Sequence, residues 1–171
     1  MLNKNVQDIL NVQVEKEGFS SNLYLAMASW AESEGYAGIS KWLYAQAEEE
    51  HMHMLKLLHY INDSGGNALI PAFKQPPVSY TDVKKMFEQV YAHEQHITAS
   101  ISEIVSVTIA EKDYTTNLWV QWYVNEQIEE EKNVRTILDK LKLLGNESLY
   151  LFDRDITTLR NEGTPAKVTS A

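Results

Sequence analysis

Four segments of this chain place apolar residues three and four apart, the period of a helix with one face turned to a core. Each of these stripes is broken near its middle by a glutamate. Around the stretch "AEEEHMHML", residues 47–55, the stripe runs Ile39, Leu43, Ala47, Glu50, His53, Leu57, Tyr60, which puts Glu50 and His53 on the inward face one turn apart. The third segment is the cleanest: Val83, Phe87, Val90, Glu94, Ile97, Ile101, Ile104, Thr108, with Glu94 its lone charge. The fourth reads Val120, Tyr123, Gln127, Glu130, Val134, Ile137, Leu141, Leu144, broken at Gln127 and Glu130. The first, Val6, Leu10, Gln13, Glu17, Ser20, Tyr24, Met27, Ala31, is less tidy. Its Gln13 and Ser20 leave open whether Glu17 faces the core or is a boundary residue that reaches solvent.

These stripes define an all-α chain of four long helices and a short fifth. The first is expected from Asn5 to Glu34, ending at the glycines of "EGYAGIS", and the second from Ile39 to Asn62, stopped by "DSGGN". The third begins near Thr81, with Ser79 and Asp82 spaced as a capping box, and ends near Ala110. The fourth follows "EKDYTT" and runs to Leu144, where Gly145 supplies a stop. The fifth, Ser148 to Leu159, carries Leu149, Phe152, Ile156 and Leu159 on one face. Short turns make helices one and two antiparallel, and likewise three and four. The segment "GNALIPAFKQPPVSY" between helices two and three has no helical period; extended, it reaches about 50 Å at roughly 3.3 Å per residue. A helix of about 25 residues is only about 37 Å long, so this segment can cross the whole bundle and leave helices two and three parallel. One domain is expected over residues 1–160, followed by a flexible polar tail over 161–171.

Midpoints of bundled helices meet whichever way the helices run, so the four interruptions converge in one layer. An ionised carboxylate buried without a partner is prohibitive, and no Lys or Arg lies on any of the four stripes. Two divalent cations balance four carboxylates, and His53 adds a nitrogen ligand; an oxygen-rich set with one imidazole suits iron or manganese. Composition agrees. The formal net charge of −9 disfavours nucleic acid and anionic membranes and favours small cations. With no cysteine there is no disulfide, thiolate zinc site, iron–sulfur centre or cysteine nucleophile, as in a reducing compartment. The N-terminus "MLNKNVQDILNV" lacks the apolar run of a signal peptide, and no window of about 18 apolar residues exists to span a membrane. The cytoplasm is the expected location.

The set Glu17, Tyr24, "EEEHMH" with Glu50 and His53, "HEQ" with Glu94, and "QWYVNEQIEEEK" with Gln127 and Glu130 resembles the bacterial non-haem ferritins, from the N-terminus to about Arg160. A four-helix bundle with one long crossover is also the ferritin-like arrangement. The resemblance implies that Glu17, Glu50 and His53 bind the first iron of a ferroxidase centre, with Glu50 bridging to a second iron held by Glu94 and Glu130. Gln127 and Tyr24 would support these ligands through hydrogen bonds. It further implies a third iron site at Glu49, Glu126, Glu129 and Glu130, and a hollow homo-oligomer of twenty-four subunits. In that shell Fe²⁺ would be oxidised by O₂ or H₂O₂ and stored as ferric oxyhydroxide. Haem is not expected, because His51 rather than Met follows the helix-two glutamate and Met52 is displaced by one residue.

Two other readings compete. One is a di-iron peroxidase on the same bundle that stores no mineral; the other is a purely structural or interaction bundle whose acidic residues are bound by nothing. His51, His59, His93 and His96 read as surface or packing residues. Glu111 and Asp113, near the turn between helices three and four, are candidates to line a pore, with helix capping the alternative for Asp113.

Overall fold

The computed structural model describes residues 2–144 and 148–161. Its regular structure is helical: α1 (Lys4–Ser33), α2 (Ala37–Asp63), α3 (Val83–Ala110), α4 (Tyr114–Leu144) and α5 (Leu149–Asn161). α1 packs along α2 and α3 along α4, α1 also meets α3, and α5 lies against α2 and α4. The stop expected at Gly145 lies outside the described residues. So does the expected tail, apart from Asn161, which closes α5.

Local chemistry fixes the helix ends. Asn3 caps α1 by accepting from the Asn5 N–H at 2.8 Å. The turn into α2 passes through Gly35 at φ 87°, a left-handed conformation that side-chain-bearing residues resist. α3 starts at Val83, later than expected, because Asp82 is itself the N-cap: it is extended and accepts from the Lys85 N–H at 2.7 Å. α4 starts at Tyr114, earlier than expected, because Asp113 accepts from the Thr116 N–H at 3.0 Å and from its hydroxyl at 2.6 Å. Glu111 closes α3 and accepts from the side chains of Asn3 and Asn5 at 2.9 and 2.5 Å, tying the start of α1 to the end of α3.

The core is divided into two apolar clusters. At one end Val6, Leu10 and Val14 of α1 pack with Leu57 and Ile61 of α2, Ile101 and Ile104 of α3, and Val120 of α4. At the other, Met27 and Ala31 pack with Ile39 and Leu43, Val83 and Phe87, and Ile137 and Leu141. The last turns of α2 and α3 therefore share an end, so these helices run parallel, and residues 64–82 carry the chain back along the bundle between them. The crossover is anchored on α1, where Phe73 fills the space that a side chain at Gly18 would need.

α5 caps the second cluster with Phe152 and Ile156, while Leu149 and Leu159 pack at its edge, all four on the expected face. Its Asp153 Oδ1 accepts from the Ile39 N–H at 2.8 Å and so caps the first turn of α2 across the fold. The two helices approach so closely at Gly38 that an added Cβ would lie 1.7 Å from the Asp153 carbonyl oxygen. Gly38→Ala must push α5 away, and overpacking of this kind costs about 1–3 kcal/mol. A lowered melting temperature with faster hydrogen exchange in α5 is the expected outcome; unchanged exchange there would show that the close approach does not hold the helix.

Candidate metal centre

Between the two apolar clusters lies a polar layer built from all four long helices. Glu17 is 0% exposed, Glu94 1%, Glu50 3% and Glu130 4%, and Gln13, Ser20, Gln46, His53 and Gln127 are buried with them. Glu17 thus faces the core, and the Gln13 and Ser20 that clouded its assignment belong to the same layer.

Neutral side chains hold the carboxylates in place. Gln13 Nε2 donates to Glu17 Oε1 at 2.5 Å. The Tyr24 hydroxyl donates to Glu94 Oε1, and Gln127 Nε2 donates to Glu94 Oε2 at 2.6 Å and to its carbonyl at 3.1 Å. Gln46 Nε2 donates to Glu130 Oε2 at 2.9 Å and reaches Glu50 Oε1 at 3.3 Å, linking α2 to α4. The ring of His53 sits against Trp122 and Tyr123, with centroids 5.6 and 5.5 Å away. Its Nδ1 faces Glu50 Oε2 at 3.5 Å and Glu17 Oε2 at 3.8 Å. Glu17 Oε2 is buried and has no hydrogen-bond partner among the described residues.

The electrostatics follow from that enclosure. Burial first, and then the Glu50 charge, raise the Glu17 pKa from 4.5 to about 8; burial and the Glu94 charge raise that of Glu50 to about 8. Burial also raises Glu94, and burial with Glu50 and Glu94 drives Glu130 well up. No Lys or Arg among the described residues pairs with any of the four. A buried, oxygen-rich set of carboxyl groups with an imidazole beside them suits a divalent cation of the iron type, which would displace the protons they retain.

The ligand atoms of Glu17, Glu50 and His53 all lie within 4.8 Å of one another, close enough to share one ion. Glu94 and Glu130 stand in the same layer but complete no group of three this tight among the described residues; Tyr24, Gln127 and Gln46 hold their oxygens. A second group of the same tightness joins Glu49, His53 and Glu126, with His53 Nε2 3.9 Å from Glu126 Oε1. An imidazole offers a metal ion one lone pair, so His53 can serve only one of these groups at a time: its Nδ1 is turned to Glu17 and Glu50 and its Nε2 to Glu126. Glu129 is exposed and outside both groups, yet close enough for its charge to raise the pKa of Glu126. The outer group opens on a groove of about 860 Å³ between α2 and α4, lined by Glu49, His53, Lys56, Trp119, Trp122 and Glu126. His51, His59 and His96 are exposed and His93 is half-buried, with Nε2 2.7 Å from Ser20 Oγ.

Residues 7–144 match the ferritin family's ferritin-like domain. The chain belongs to the ferritin family. It is 45% identical over 161 residues to a probable bacterial non-heme ferritin-like protein of Haemophilus influenzae, spanning 93% of this chain and 98% of that one. It is 41% identical to a bacterial non-heme ferritin of Campylobacter jejuni, over 93% and 96% of the two chains. Among solved structures, the open-pore ferritin of Archaeoglobus fulgidus superposes with a TM-score of 0.89 at 36% identity, covering 91% of this chain and 96% of that one. The bundle, crossover and fifth helix are accordingly those of a ferritin, and no described helix is long and apolar enough to cross a membrane.

Sequence periodicity missed Gln46 as a partner of the layer and Trp122 as its wall, and left Gln13 and Tyr123 on their stripes without a role. Gln13 was visible on its stripe but ambiguous; Gln46 lies one position off the stripe and only the fold shows it beside Glu130.

The raised pKa values make a pH prediction. Glu17 and Glu50 keep protons near pH 7 that the unfolded chain, at 4.5, has lost. Their contribution to the metal-free fold is complete below pH 4.5 and is lost as pH rises to about 8. A cation needs both carboxylates ionised, so anaerobic Fe²⁺ added near pH 7 should expel protons, read with an indicator dye in weak buffer, and fewer at about pH 9. Equal release at both pH values would show that the carboxylates are already ionised.

Proposed function

We propose that this chain is an iron-storage ferritin whose polar layer is a ferroxidase centre with Fe²⁺ as its substrate. The observation that carries this reading is the buried layer of Glu17, Glu50, His53, Glu94 and Glu130, which no Lys or Arg among the described residues pairs with, in a chain of the ferritin family. Glu17, Glu50 and His53 hold one ferrous ion, and Glu50 bridges to a second held by Glu94 and Glu130. Tyr24 and Gln127 orient Glu94. Anionic oxygen ligands favour Fe³⁺ over Fe²⁺, so binding here makes each ion a better electron donor. Each of the two ions loses one electron, and the pair, with two protons, converts O₂ to hydrogen peroxide or hydrogen peroxide to two waters. Pairing the electrons avoids a free one-electron product.

Glu49 and Glu126, which line the groove, serve with Glu129 and Glu130 as a third iron site, from which ferric ions pass to a mineral of ferric oxyhydroxide. The protein works in the cytoplasm as a shell of twenty-four copies, without haem, nucleic acid or membrane. Exposed Ile70, Val78, Leu118, Leu143 and Tyr150, each more than 70% accessible, support burial against further copies.

Size and iron binding test this together. On a calibrated column the protein should elute as a shell, and anaerobic Fe²⁺ titration should saturate at two or three ions per chain. Glu50→Ala with His53→Ala should reduce Fe²⁺ oxidation to the uncatalysed rate; a double variant as fast as the parent would mean the centre is elsewhere. Elution as a single subunit or dimer, with peroxide consumed and no mineral formed, would instead identify a di-iron peroxidase.

A further inference from the structure

A hydrogen-bonded chain leads from the surface to Glu17. Lys16 Nζ donates to Ser100 Oγ at 2.6 Å, Ser100 Oγ donates to Gln13 Oε1 at 2.6 Å, and Gln13 Nε2 donates to Glu17 Oε1 at 2.5 Å. It crosses from α1 to α3 and back. Lys16 is half-buried and lines a cavity of about 340 Å³ with Phe19, Phe73, Lys74, His93 and His96, on the α1–α3 side of the bundle. The acidic groove lies on the α2–α4 side.

The polarity of the chain is set at its outer end. An ammonium group has donors and no acceptor, so the Ser100 oxygen accepts from it and sends its own proton inward. Gln13 receives that proton at its carbonyl oxygen, which turns its Nε2 toward Glu17. Glu17 Oε1 is thereby occupied as an acceptor. Glu17 Oε2 is left buried without a well-formed hydrogen bond among the described residues, 3.8 Å from His53 Nδ1 and with Glu50 and the Tyr123 hydroxyl beside the carboxyl group. A carboxylate with one oxygen tethered to protein and the other not so tethered is arranged to give an ion one oxygen rather than two.

We propose that Lys16, acting through Ser100 and Gln13, is a positioning residue that commits Glu17 to one-oxygen ligation of the first metal ion. The proposal rests on the metal-centre reading of the polar layer. It assigns a purpose to three polar side chains that the oxidation chemistry does not itself use.

Anaerobic titration with Co²⁺, followed by its visible absorption, tests it without turnover, since band position and intensity report coordination number. Lys16→Met keeps the stem and removes the donor; Ser100→Ala removes the relay. Each should weaken binding of the first Co²⁺ by about tenfold, as loss of a group supporting a ligand does. Each should also shift the absorption bands as Glu17 becomes free to chelate, while the melting temperature stays near the parent's. Ser100→Thr, which retains the hydroxyl, should restore both affinity and spectrum. Parental affinity and spectrum in Lys16→Met and Ser100→Ala, with the first ion lost in Glu17→Ala, would overturn this proposal and leave the metal centre standing. A Ser100→Thr variant as impaired as Ser100→Ala would also overturn it. Parental binding in Glu17→Ala would overturn the metal centre itself, and the proposal with it.

Discussion

Burying an ionised carboxylate costs more free energy than almost any other single feature of a folded chain, and this fold buries four in one layer. No ammonium or guanidinium group among the described residues is paired with them. In the metal-free protein the layer compensates by retaining protons: burial raises the pKa of all four acids. Amides and a phenol then satisfy most of the remaining hydrogen-bonding capacity. Among the described residues Glu17 Oε2 and the adjoining Tyr123 hydroxyl are left over, and Glu17 Oε2 lies 3.8 Å from His53 Nδ1.

That layer survives because apolar packing brackets it. One cluster closes each end of the bundle, and α5 extends the second of them. The helices are fixed at their ends by Asn3, Asp82 and Asp113, and by Asp153 reaching across from α5. The geometry of the waist is therefore imposed from both sides, and its polar side chains cannot escape to solvent without unpacking one of the clusters. Stability and reactivity are spatially separated along the same four helices.

Much of this was legible from residue order. Every stripe position named for α1 and α3 is buried, and the two-cluster core follows from the same periodicity once the proline-rich crossover makes α2 and α3 parallel. Helix starts were less legible, because Asp82 and Asp113 each suffice as a cap without the longer signals sought around them. Helical period also cannot show what a side chain meets on another helix. Gln46 becomes a partner of Glu130 only through the crossing of α2 and α4, and Ser100 a partner of Gln13 only where α3 meets α1. Periodicity likewise located Glu94 and Glu130 in the waist without showing that Tyr24, Gln127 and Gln46 draw their oxygens aside.

We propose that paired metal ions make this acidic waist tolerable. Diffraction from crystals soaked anaerobically in Fe²⁺, recorded at the iron absorption edge, addresses it directly. Two anomalous peaks per chain are predicted at the level of Glu50, one against Glu17 and His53 and the other between Glu94 and Glu130. Peaks confined to the surface carboxylates, with the waist unaltered and empty at saturating Fe²⁺, would contradict it.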